Sequence, residues 1–357
     1  MSKPNRAEVL VDLAAYRRNL AALASAVAPA RLMAVVKSDA YGHGLLPIAR
    51  AAQDAGITDL GALDLETALG LRAGGIGYEV TVLAWLHTPQ DDFAAAIEAG
   101  VGLGVSSVAE LVTIVSAGAS RPAEMHLKID TGLHRNGADE QDWPELVMAG
   151  LEAEREGTAR ISGVWTHIAE ASDAEDSAAI ARFEAAITAA EGLGARFETR
   201  HLAASAAGLA RLDSRFDLVR MGAFTFGISP GSGVTAAELG LVPVMTLLSR
   251  VERVTGERGQ SLAFVPIGSG DGILGECAGR VDVAIGGRRY PVTTVGIDGL
   301  QVAVAGGEVV AGDQVYLFGP GADGEPTLQE WADTLGTIGE EIVVRLSPLI
   351  TRRYVGR

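Results

Sequence analysis

The 357-residue chain carries 45 acidic against 29 basic residues, and its net charge of −16 argues against nucleic acid or an anionic membrane as partner, since both need a basic surface. With 48% hydrophobic but only 5% aromatic residues, it can fill a sizeable core of Ala, Val, Leu and Ile, in one large domain plus a smaller one. Cys277 is alone, which excludes an internal disulfide framework and a cysteine-rich metal site.

The N-terminal ten residues are polar and no apolar run reaches membrane-spanning length, so a soluble, cytoplasmic protein is expected. Up to about Pro230, short apolar runs alternate with amphipathic helical segments. Strands are expected at 32–37, 60–63, 80–85, 101–105, 125–130, 161–167, 199–203 and 216–219. The segment 45–55 has helical spacing and ends at Gly56, a C-cap residue. Asp64 is placed to cap the next helix, and Thr88 before Pro89 reads as another helix opening. Ser107 and Glu110 have capping-box spacing. Eight alternations predict a (β/α)8 TIM-like barrel; a doubly wound sheet is the alternative.

After Pro230-Gly231-Ser232-Gly233 the pattern changes to short β-rich segments at 245–254, 262–267, 280–284, 292–295, 301–304, 314–318 and 341–346. Gly286-Gly287, Gly306-Gly307 and Gly319-Pro320-Gly321 read as turns between them, and 331–335 as a short helix. The expected division is a barrel over 1–235 and a C-terminal all-β domain over 236–357.

Barrel enzymes place their chemistry at the C-terminal strand ends. Lys37 closes the first strand, and only three of the 29 basic residues are lysines. Lys128, Asp130 and Arg135 follow from strand five, Thr166 and His167 from strand six, Ser205 from strand seven, and Arg220 and Gly222 from strand eight. Cations crowded at one barrel mouth of an acidic chain suggest an anionic ligand. A phosphate held by Ser205 and the backbone at Gly222 would fit beyond strands seven and eight. Each residue also has a structural reading: Lys37, Arg135 and Arg220 as ion-pair partners, His167 as a core histidine. The Gly100-x-Gly102-x-Gly104 run lacks dinucleotide spacing, and no histidine pair has metal-site spacing, so no metal is expected.

Together these motifs resemble the alanine racemase family over nearly the whole chain. A-V-V-K-S-D-A-Y-G-H-G at 34–44 is very close to that family's cofactor-lysine motif. L-K-I-D-T-G-L-H-R-N-G at 127–137, W-T-H at 165–167, H-L-A-A-S at 201–205, R-M-G-A at 220–223 and G-T-I at 336–338 match further family segments. The resemblance implies pyridoxal 5′-phosphate as cofactor, a small amino acid as substrate, alanine racemisation as activity and a homodimer with shared sites. It implies that Lys37 forms the Schiff base and acts as one base. It places Tyr41, Ser205, Gly222 and Ala223 at the phosphate, His167 at the ring, Arg220 at the pyridine nitrogen, and Arg135 near the phenolic oxygen. Lys128, often carbamylated in the family, would orient Arg135.

Several positions depart from the family. Ser269 stands where the second base, a tyrosine, belongs, and a serine hydroxyl is shorter and less acidic than a phenol. Ala204 replaces an asparagine, Glu340 a tyrosine that binds phosphate, and Val295-Gly296-Ile297-Asp298 an arginine-rich segment, with Ile297 at a substrate-orienting position. Two alternatives therefore stand beside racemisation. One is another pyridoxal-phosphate reaction (aldol cleavage, elimination or decarboxylation) with Lys37 as sole base. The other is a cofactor-binding paralogue without turnover.

Overall fold

A computed structural model describes residues 6–229, 236–257, 260–304 and 308–356. The expected turns at Pro230-Gly231-Ser232-Gly233 and Gly306-Gly307 lie outside the described residues. The described chain groups into two compact units. One contains Leu23–Lys37 and Ala52–Gly222; the other contains the segment up to Ala22, Ser38–Ala51 and the segment from Ala223 onward.

The strand β1 (Ala7–Asp12) belongs to the second unit. The first unit is built on eight parallel strands: β2 (Arg31–Val35), β3 (Asp59–Leu63), β4 (Thr81–Ala84), β5 (Val101–Val105), β6 (Ala123–Lys128), β7 (Ala159–Trp165), β8 (Thr199–His201) and β9 (Leu218–Met221). Their order is β8-β7-β6-β5-β4-β3-β2-β9. Backbone bonds that each join a residue of one end strand to a residue flanking the other, Asp217 N–H to Arg200 O at 3.0 Å and Arg220 N–H to Ala203 O at 3.1 Å, bring the edges together. The unit is thus a near-closed β/α barrel, as the eight-fold alternation predicts. Its interior needs glycine on alternate strands: a Cβ at Gly61 would sit 3.0 Å from the Trp85 ring, and one at Gly104 would sit 2.7 Å from Trp85 Cβ.

Helix starts follow local chemistry. Asp64 accepts from Thr67 N–H at 2.7 Å and Ser107 from Glu110 N–H at 3.2 Å, while the Glu110 carboxylate reaches back to Ser106 rather than Ser107. Thr88-Pro89 does not open a helix. Asp91 accepts from Thr88 N–H in a turn, and the helix Phe93–Glu98 starts at Asp92, whose carboxylate caps Ala95 N–H.

The second unit holds a nine-stranded sheet. Its remaining strands are β10 (Met245–Arg250), β11 (Arg253–Glu257), β12 (Gln260–Val265), β13 (Asp282–Ile285), β14 (Arg288–Val295), β15 (Leu300–Val304), β16 (Gln314–Phe318) and β17 (Thr351–Val355). β1 pairs antiparallel with β10 and parallel with β17, so the chain's first strand shares a sheet with its last. This grouping by pairing differs from a single division at 235. The expected strand at 341–346 is instead the helix Gly339–Val344. Gly339, Ile342, Val343 and Leu346 are buried, an i, i+3, i+4, i+7 pattern, and Glu340 and Glu341 sit in its first turn where the helix dipole favours acid. The C-terminal segment is therefore mostly strand rather than all-β. The helix Leu328–Leu335 completes it, capped reciprocally by Thr327 and Glu330.

Candidate functional site

Lys37, Lys128, Arg135, His167, Ser205, Arg220 and Gly222 all belong to the barrel unit. Lys37 lies two residues beyond β2, after Val36, whose N–H donates to Gly61 O at 2.9 Å, and is half-buried. Lys128 ends β6, and His167 lies two residues beyond β7. Arg220 lies inside β9 rather than after it, a correction of one strand end by two residues.

Arg220 is 4% exposed, yet none of its hydrogen bonds goes to a carboxylate. Nη1 donates to His201 Nδ1 at 2.9 Å; Nη2 donates to Thr166 O, Leu202 O and His167 Nδ1 at 2.9–3.0 Å. A guanidinium has donors only, so both histidines must accept through neutral Nδ1 and carry their proton on Nε2. His201 then donates from Nε2 to His126 Nδ1 at 2.8 Å, which makes His126 the same tautomer. Burial and the Arg135 charge draw Arg220 down to about 9, so it stays protonated at neutral pH.

His167 is where the cations meet. Burial and then the charges of Arg220, Arg135, Lys128 and Lys37 lower it to about 2, so it is a neutral ring among four basic groups. Lys128 donates to Asn136 Oδ1, and its Nζ lies 4.3 Å from the Trp165 ring centroid. Burial and the charges of Arg220 and Arg135 bring Lys128 down to about 7. Trp165 also lies 5.0 Å beneath the Arg220 guanidinium and stacks on His201 at 5.4 Å. Ser205 Oγ accepts from Gly222 N–H at 3.3 Å, which joins the two residues expected around a phosphate. Arg135 is exposed in the loop after β6.

Tyr41, Ala223, Ser269 and Ile297 belong to the other unit. Residues 38–41 all have φ between +52° and +54°, a left-handed turn of four non-glycine residues that costs about 1–2 kcal/mol each. Neighbouring groups hold it: Gly42 N–H donates to Ser38 O at 2.9 Å, and His43 Nδ1 bonds Ala40 O and Tyr41 O at 3.0 and 2.9 Å. The Tyr41 ring packs 5.2 Å from Phe226, and burial followed by the Glu340 charge pushes its hydroxyl above the usual phenol range. Ser269 and Ile297 meet through their backbones. Ser269 N–H donates to Gly296 O at 2.9 Å and Gly270 N–H to Ile297 O at 3.0 Å, leaving both side chains exposed. Ala223 is buried at the start of a 3-10 turn.

Reading along the sequence names Trp165, His201 and Asn136 only within motifs, without a role, and misses His126. The available signal is alternation: His126 and Lys128 are two apart on β6 and so share one strand face. Among the described residues no group of histidine, cysteine and carboxylate side chains could hold a metal, and no helix is long and apolar enough to cross a membrane.

Two family models match the chain, the alanine racemase N-terminal domain over residues 11–230 and the alanine racemase C-terminal domain over 243–354. The alanine racemase of Frankia casuarinae is 44% identical, covering 98% of this chain and 96% of the relative. That of Thermobifida fusca is 41% identical over 98% of each. Among solved structures, alanine racemase from Streptomyces lavendulae superposes with a TM-score of 0.95 at 37% identity, over 100% of this chain and 98% of the other. Alanine racemase from Streptomyces coelicolor does so with a TM-score of 0.95 at 39% identity, over 99% of each.

Proposed function

The chain belongs to the alanine racemase family, and on that premise we propose that it interconverts L- and D-alanine with pyridoxal 5′-phosphate in the cytoplasm, as a homodimer. One observation carries the reading. Arg220 is buried and donates to His167, His201 and two backbone carbonyls with no carboxylate partner, while Lys128 Nζ lies 4.3 Å from the centroid of the Trp165 ring that also underlies Arg220. Such a cluster suits a ligand that brings its own negative charge and a ring acceptor, which fits pyridoxal phosphate. The cofactor, when bound, supplies an electron sink that acidifies the Cα–H bond of an attached amino acid.

The protein's own groups divide the remaining work. Lys37 would anchor the cofactor and would take or return the Cα proton on one face. Ser205 and the Gly222 N–H would bind phosphate, and Tyr41 and Ala223 are the further phosphate ligands that the family resemblance implies. Arg220 can donate to the pyridine nitrogen but never protonate it as a carboxylic acid would, and so tempers the sink. Arg135, oriented by Lys128 as the resemblance implies, would face the cofactor's phenolic oxygen, and His167 would border the ring. Ser269 and Ile297 come from a second copy and border the opposite face of the substrate.

The test is the visible spectrum of the protein with pyridoxal phosphate, before and after borohydride, followed by solvent deuterium uptake at Cα of alanine. Expected are a borohydride-trapped adduct on Lys37, its loss in Lys37→Ala, and formation of D-alanine. A trapped adduct without deuterium uptake or D-alanine overturns racemisation and leaves a different reaction on the same anchor.

A further inference from the structure

The barrel interior contains a histidine that the reading above does not use. His126 lies in β6, 6% exposed, and its Nδ1 accepts from His201 Nε2 at 2.8 Å, on the side of His201 away from Arg220. Two features of the neighbouring strand make room for it. β6 and β7 slip register between Met125 and His126, so that His126 lies opposite Gly163 instead of Ser162. A Cβ at residue 163 would then lie 2.5 Å from His126 Nδ1, far inside contact distance. A register shift, a glycine and a histidine thus combine to put one acceptor at one donor.

We propose that His126 is a positioning residue for Arg220, acting through His201, and that Gly163 and the register shift exist in this fold to seat it. The reasoning follows the direction of the protons. Arg220 dictates that His201 accepts at Nδ1 and therefore presents a buried N–H on the far side. Without His126 that N–H has no acceptor, and an orphaned buried donor costs about 1–3 kcal/mol. His201 would relieve it by turning toward another acceptor, which releases Arg220 Nη1. Stacking on Trp165 at an interplanar angle of 8° restricts the ring to in-plane adjustment, so the hydrogen bond at each end sets where its nitrogens point. The consequence for cofactor binding rests on the role given to Arg220 under the proposed function; the placement of Arg220 itself does not.

The experiment uses the full chain with 15N-labelled histidine and arginine, as parent, His126→Asn and His126→Leu. The amide oxygen introduced by His126→Asn stands near the position of Nδ1 and can accept from His201; the leucine side chain cannot. In the parent and in His126→Asn, without cofactor, His201 should show one unprotonated Nδ1 and one protonated Nε2, with a resolved Arg220 guanidinium signal. In His126→Leu the His201 signals should average between tautomers and the Arg220 signal broaden. The affinity for pyridoxal phosphate, read from its absorbance, should fall about tenfold in His126→Leu and recover in His126→Asn, as expected for one orphaned donor. Gly163→Ala should reproduce the loss with His126 still present, which covers the case in which His126→Leu does not fold. A His126→Leu or Gly163→Ala protein with parental His201 and Arg220 signals overturns the proposal, as does failure of His126→Asn to rescue. If the parent takes up no pyridoxal phosphate, the functional reading fails while the nitrogen signals still decide this one.

Discussion

Arg220 Nη1 lies 2.9 Å from His201 Nδ1, and because a guanidinium only donates, this contact rules out the imidazolium form of His201. Burial and the Arg220 charge together hold His201 well below its ordinary range. The barrel interior is therefore arranged as one permanent cation surrounded by neutral acceptors. That arrangement leaves positive charge for a ligand to balance.

Arg220→Lys should be far from conservative. A single ammonium cannot span two histidine nitrogens and two carbonyl oxygens that now converge on one planar fork. Leaving two of these acceptors unpaired should cost about 2–4 kcal/mol, read as a lower urea midpoint at pH 7.5. His201 should also become titratable above pH 5 by its nitrogen signals, an effect that mere loosening of the core would not produce.

Acid should unfold the protein through its histidines. The folded-state values of His126 and His167 lie at about 4 and about 2, and that of His201 is also lowered, against 6.5 for an unfolded chain. Below pH 6.5 the unfolded chain binds protons that the folded chain refuses. The stability from neutral histidines is thus fully present above 6.5 and is lost as pH falls through about 4. His126 alone contributes of order 3 kcal/mol to this slope. Urea midpoints measured between pH 7.5 and 4.5 should drop steeply in the parent and less in His126→Asn.

Lys128 works in the alkaline direction. It is about 7 when folded and 10.5 when unfolded, so between these values only the unfolded chain holds the proton. The associated stability is present above 10.5 and is lost as pH falls toward 7. Lys128→Met should therefore flatten the rise in stability between pH 7 and 10. A parental slope in Lys128→Met would mean that the amine is fully charged at neutral pH.

Ser269→Tyr should raise alanine racemisation by about tenfold or more by supplying an acid–base group that a serine hydroxyl cannot match. Ser269 is exposed and its turn is held by backbone bonds to Gly296 and by the Asp271 carboxylate on Gly268 N–H, so a ring can be added without moving the turn. Unchanged turnover would show that the hydroxyl position does not limit the reaction.

Much of this molecule is legible in its sequence. Apolar runs of strand length, punctuated by glycines and capping residues such as Asp64, are local signals, and they place all eight barrel strands to within a few residues. The same locality puts Lys37, Lys128 and His167 at strand ends, where the chemistry of a barrel gathers. The expectation that Ser269 stands where the family has a tyrosine likewise rests on the sequence alone. The helix Gly339–Val344 shows how locality misleads: an E-I-V-V-R-L run has β-branched residues, but its i, i+3, i+4 burial is helical. What only the tertiary structure decided are relations between distant strands. β1 joins β10 and β17 across more than two hundred residues, and a register shift against β7 sets which residue faces His126. The proton order from Arg220 through His201 to His126 arises in the same way. Hydrogen-bond direction depends on which donor meets which acceptor across strands, and no stretch of one strand carries that information.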